Sequence, residues 1–255
     1  MDPGDIASNP MVRNALGDSF PASPEVTIRL CREAGVDEYS NVLHLGAGVG
    51  TVCQMITETF GCNTTGVVLI EQLLQHCIFE DERVNYVHSK MAEPPFEVHT
   101  YSHVLVECRF IAQNDLPSVL AAAKAMLIPG GQLIVNEPVI GAGSKLPKVI
   151  GRIFDETKLS QIIVKRNAMD IGIEITSAGF EMIHSQPEPE VTERILMKLK
   201  QVSMMLKMAM RFSSFDPYSE EFPFKKKDIL KAFDELKAAL GDDTFGWHSW
   251  RATPI

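Results

Sequence analysis

The stretch NVLHLGAGVG, residues 41–50, constrains this chain more than any other: a short apolar run meets three glycines on alternating positions. Glycines after a strand let the backbone pass close to a ligand, and a helix that follows presents unpaired N–H groups toward it. The stretch therefore predicts a strand, a tight ligand-facing turn and a helix, GVGTVCQMITETFG, that stops near Gly61.

The same alternation runs through the chain. TTGVVLI, VNYVHS, SHVLVEC and QLIVNEP read as strands. SPEVTIRLCREAG, IEQLLQHCIFE and DLPSVLAAAKAMLIPGG read as helices, the first with Ser23 and Pro24 at its start and the last closed by a Pro-Gly-Gly turn. Short apolar strands alternating with helices imply a mostly parallel sheet covered on both faces, a doubly wound α/β fold. AMDIGIEITSAGF then leads into a strand, EMIHSQ, and two helices follow, EVTERILMKLKQVSMMLKMAMRF and KKKDILKAFDELKAAL, before a last strand, FGWHSWRAT. The expected organisation is an arm at 1–22, an α/β core at 23–188, a helical cap at 189–243 inserted before the last strand, and that strand at 244–255.

A net charge of -9 argues against a general nucleic-acid partner, since phosphate binding needs a basic face. No apolar run is long enough for an integral membrane segment. The acidic, proline-broken start MDPGDIASNP does not read as a secretory signal. Cys31, Cys53, Cys62, Cys77 and Cys108 have no paired spacing, which points to reduced thiols and a cytoplasmic setting. The histidines lack metal-ligand spacing, so no metal is expected.

Gly46, Gly48 and Gly50 are spaced G-x-G-x-G, with Thr51 where the dinucleotide fingerprint has its third glycine. By itself this is also what an ordinary tight strand-to-helix turn looks like. VLHLGAGVG, TTGVVLIEQLL, SHVLVECRF and MLIPGGQLIVNEP, in that order, together resemble the class I S-adenosylmethionine-dependent methyltransferases, especially small-molecule enzymes of the UbiE and arsenite-methyltransferase-like type. The resemblance covers about residues 15 to 185 and, weakly, the final strand. It implies a Rossmann-like methyltransferase fold, S-adenosylmethionine as cofactor and a small-molecule substrate; it leaves the methyl acceptor and the oligomeric state open.

By that resemblance Gly46, Ala47, Gly48 and Gly50 curve around the methionine part of the cofactor, with His44 just before them. Val68 and Leu69 meet the ribose, and Lys90 and Met91 flank the adenine. Glu107 and Cys108 face the transferring methyl and the substrate as catalytic candidates. The chain departs from the family pattern at three acid positions, where it carries His44, Val68 and Lys90. Glu71 is a substitute acceptor for the ribose, and Glu93 or Glu97 for the adenine.

The bland readings stand beside these. Glu107 is equally a carboxylate tied to a neighbouring loop, Cys108 a buried thiol, and the methionine-rich helix a lid packed on the sheet rather than a substrate groove, a partner surface or a membrane contact. Two other function classes remain open: a methyltransferase-like binding or scaffold protein that has lost the cofactor, and a nucleotide-dependent oxidoreductase, which the glycine spacing disfavours.

Overall fold

The computed structural model describes residues 23–77, 81–107, 115–141, 143–144, 148, 166–212, 226–241 and 244–255. The expected arm at 1–22 and Cys108 lie outside these. Seven strands form one sheet in the order β3-β2-β1-β4-β5-β7-β6: β1 (Asn41–Leu45), β2 (Asn63–Val68), β3 (Val84–His88), β4 (Tyr101–Glu107), β5 (Leu127–Ile140), β6 (Phe180–Pro187) and β7 (Phe245–Pro254). β1 to β5 run parallel, while β7 lies antiparallel to both β5 and β6. The expected mostly parallel α/β sheet is observed.

Period-two alternation assigns the two faces. Leu43, Leu45, Val104, Val106, Leu133 and Val135 share one buried cluster with α4 (Leu116–Met126) and α5 (Ala168–Ser177). Val42, Leu105 and Ile134, on the alternate positions, pack with α1 (Pro24–Glu33) and α2 (Thr51–Phe60). Trp250 belongs to the first cluster and Trp247 to the second, so β7 contributes an indole to each face.

Helix boundaries follow local chemistry with three corrections. Asp115 caps α4 by accepting from the Ser118 amide at 3.0 Å, and Asn167 and Asp170 form a reciprocal capping box on α5. Ser23 precedes α1 but its hydroxyl bonds Glu25 at 3.1 Å instead of capping the backbone. Of the helix expected over IEQLLQHCIFE, whose last three residues lie outside the described ones, the described part forms only α3 (Glu71–Leu74), one turn long. The Pro-Gly-Gly turn does not lengthen α4; the chain is extended from Leu127, and its register against β4 shifts between Tyr101 and His103.

The last two helices are α6 (Pro189–Phe212) and α7 (Lys226–Gly241). β6 ends at Pro187 opposite His248, and β7 begins at Phe245 opposite Ile140, so the chain leaves and re-enters the sheet at the carboxyl edge of β5. Val191 and Ile195 of α6 and Leu240 of α7 are buried in the cluster that holds α1. Arg29–Glu188 and Arg194–Glu25 ion pairs, each 2.5 Å, bind the start of α6 to α1. Among the described residues no helix is long and apolar enough to cross a membrane.

Candidate cofactor-binding turn

The turn after β1 is shaped by what lies beneath it. Gly46 has φ +100°, and a Cβ there would stand 2.0 Å from the Glu107 carbonyl oxygen. Its amide and that of Ala47 both donate to the Val67 carbonyl, at 3.1 and 2.9 Å, which pins the chain to β2. On the far side the Tyr86 hydroxyl donates to the Gly50 carbonyl at 3.0 Å. Gly46, Ala47, Val49 and Gly50 are buried; Gly48 alone in the turn is partly accessible, with φ +58° and nothing within 4 Å of where its Cβ would be. The turn thus offers one open backbone position, directly before α2, whose start has no side-chain cap.

Behind the turn lies a buried polar chain. Glu107 is 1% exposed; its Oε1 accepts from the Thr27 hydroxyl and from Asn136 Nδ2, both at 2.7 Å. His44 Nε2 stands 3.2 Å from Glu107 Oε2, within ion-pairing distance but without hydrogen-bond alignment. His44 Nδ1 is 3.4 Å from Cys53 Sγ. Burial pushes the Cys53 thiol well up, so it stays protonated. A thiol held protonated is not an activated nucleophile, and the chain reads as an anchor rather than a catalytic relay.

The sequence-expected residues separate accordingly. Gly46, Ala47, Gly48 and Gly50 come together as the turn. The side chains of His44, Val68, Met91 and Glu107 are all sealed from solvent. Glu107 turns under α1 instead of opening toward a substrate, because Thr27 and Asn136 hold its carboxylate there. Val68 packs with Ala47, Val49, Cys53, Leu73, Cys77 and Tyr86 in an apolar cluster, and its own side chain cannot accept from a ribose. Met91 packs beneath Gly46, where a Cβ on that glycine would come within 2.8 Å of its methyl. Leu69 is partly buried against the core, and Lys90 is exposed and paired with Glu93 at 3.3 Å. Glu71 is exposed in the first turn of α3.

Thr27, Cys53 and Asn136 were not singled out in the sequence. Asn136 had a signal, as a polar residue inside the apolar run LIVNEP. Thr27 had none, because its partner lies 80 residues away. Among the described residues no cluster of histidine, cysteine or carboxylates could hold a metal ion.

Residues 43–135 match a family model described as a methyltransferase domain. A sarcosine/dimethylglycine N-methyltransferase of Halorhodospira halochloris is 23% identical over 175 residues, which is 62% of this chain and 60% of that protein. The chain therefore spans about 60% of that curated relative's length. Among solved structures, phosphoethanolamine N-methyltransferase 2 of Haemonchus contortus, in complex with S-adenosyl-L-methionine, superposes with a TM-score of 0.74 at 18% identity, covering 100% of this chain and 60% of the other. Geranyl diphosphate C-methyltransferase from Streptomyces coelicolor A3(2) gives 0.65 at 15% identity, covering 95% and 88%. The antiparallel β7 between β5 and β6 also sets the sheet apart from the 3-2-1-4-5-6 order of dinucleotide-binding dehydrogenases. Residues 43–135 thus match a methyltransferase domain, and the sheet that holds them has the Rossmann-like fold of the methyltransferase structures on which it superposes.

Proposed function

We propose that the protein transfers a methyl group from S-adenosylmethionine to a small-molecule acceptor. The observation that carries this reading is Gly48, the one open backbone position in a turn otherwise packed from every side. Its shape fits the methionine part of the cofactor: the backbone can be approached to contact distance, and the free amides of the first turn of α2 suit a carboxylate. The cofactor, when bound, supplies an electrophilic methyl on a sulfonium. Gly46 to Gly50 would hold its methionine part, and the loops after β2 and β3, with Leu69, Glu71 and Lys90 accessible, would meet its nucleoside.

The chain's own part in transfer is alignment and exclusion of water, which give much of the rate when the acceptor is already a good nucleophile. Glu107, Thr27, Asn136 and His44 support the turn from below. The pair α6–α7, rooted at the carboxyl edge, is the element in place to cover the cleft and select the acceptor. Four buried free thiols, Cys31, Cys53, Cys62 and Cys77, support a reducing, cytoplasmic setting.

The apolar packing of Val68 favours a second reading, a methyltransferase-like binding or scaffold protein that has lost the cofactor. One experiment separates them. The chain is titrated calorimetrically with S-adenosylmethionine and S-adenosylhomocysteine, then incubated with methyl-labelled cofactor and a panel containing sarcosine, dimethylglycine, phosphoethanolamine and geranyl diphosphate. Binding abolished by Gly48→Leu in a folded variant, with label reaching an acceptor, supports the enzyme. No binding to the wild-type chain defeats the enzyme and supports the second reading, whereas cofactor binding by the wild-type chain defeats the second reading.

A further inference from the structure

α6 is apolar on two faces. Val191 and Ile195 enter the core, whereas Met197, Met204, Met205 and Met208 are 60, 60, 57 and 54% exposed. At about 3.6 residues per turn, Met197, Met204 and Met208 fall on one line along the helix, with Gln201 among them. Glu190 and Glu193 continue that outward side at the amino-terminal end, Lys200 borders it near the middle and Lys207 toward the carboxyl-terminal end; all four are exposed. A contiguous exposed apolar stripe of this kind marks an interaction surface.

We propose that this face is covered by α6 of a second copy of the chain, running antiparallel across a two-fold axis. A two-fold contact sets residue i against j and j against i. A crossing centred near Lys200 and Gln201 sets Met197 of each copy against Met204 of the other, and brings Glu193 of each beside Lys207 of the other. The acidic and basic ends of the helix are then complementary by symmetry, and the two helix dipoles oppose. Parallel pairing would put like charges together, and an anionic lipid surface would meet Glu190 and Glu193 with repulsion. Lys207 stands 3.6 Å from Asp234 and is 46% exposed, so it is free to share its charge across the interface. Methionine, unbranched and adaptable, suits such a seam.

The test is sedimentation of the full chain over a concentration series, with circular dichroism to confirm folding. The wild-type chain is expected to approach twice its monomer mass. Glu193→Lys and Lys207→Glu should each weaken association at least ~tenfold, Met204→Lys should abolish it, and Glu193→Lys combined with Lys207→Glu should restore it. A wild-type chain still monomeric at ~1 mM overturns the proposal without any variant. So does a dimer that the folded single variants leave intact, or a double variant that fails to recover. A monomer that floats with vesicles of anionic phospholipid would instead make the face a lipid contact.

Discussion

The carbonyl oxygen of Glu107 occupies the place a side chain on Gly46 would need: a Cβ there would lie 2.0 Å from it, with Glu107 itself anchored to Thr27 and Asn136. Gly46 and Gly48, two residues apart, thus differ in consequence. Gly46→Ala meets backbone that cannot yield and should cost roughly 3 kcal/mol or more. Gly48→Ala meets open space and pays only for its left-handed backbone, roughly 1–2 kcal/mol. Denaturant unfolding of the two variants checks the ordering; equal losses would mean that the turn relaxes away from Glu107.

Val68 gives the second prediction. From the sequence, Val68→Asp reads as the return of a missing ribose acceptor. In the fold it places a carboxylate in the sealed apolar cluster of Ala47, Val49, Cys53, Leu73 and Cys77. The variant should lose at least ~2 kcal/mol of stability, since an unpaired buried charge is poorly tolerated. Cofactor affinity should depend instead on Glu71, so Glu71→Ala should weaken S-adenosylmethionine binding while leaving the melting temperature nearly unchanged. Calorimetry on both variants decides, and a stable Val68→Asp chain with tightened binding would reverse the assignment.

The third prediction concerns pH. His103 lies in β4 with Nε2 3.0 Å from the Ala34 carbonyl and Nδ1 3.0 Å from the Ser102 hydroxyl. Burial disfavours its imidazolium and lowers its pKa below the ordinary 6.5, against opposing pulls from the Ala34 carbonyl and Asp37. With the folded value depressed, the unfolded chain takes up the proton first as pH falls. The contribution to stability is therefore complete above 6.5 and is lost as pH drops through that value toward the folded one. His248 is lowered for the same first reason, burial, and adds in the same direction. Unfolding free energy should fall between pH 7.5 and pH 5.5, roughly the span that brackets a free imidazole, and His103→Gln should flatten part of that slope. An unaltered slope would place the proton uptake elsewhere.

Local pattern settled most of the architecture. NVLHL and SHVLVEC alternate with helices at a spacing that only a covered parallel sheet satisfies, and GAGVG breaks the strand where the backbone must turn. These signals are legible because period two, period 3.6 and the freedom of glycine act within a few residues. The antiparallel β7 was not legible, since a strand's direction in the sheet depends on where α6 and α7 return the chain.

The same division runs through the site. The sequence determined that Gly46, Gly48 and Gly50 would share one turn at the head of a helix, and that His44, Val68 and Lys90 would replace acids of the pattern it resembles. Only the tertiary structure decided what those residues do. Glu107 faces α1 because Thr27, 80 positions earlier, supplies a hydroxyl there. Val68 is sealed because Cys53 and Cys77 close over it. The methionines of α6 face outward because Val191 and Ile195 fill the core side first. A side chain's burial and partners are set by packing between distant segments, and no local periodicity carries that information.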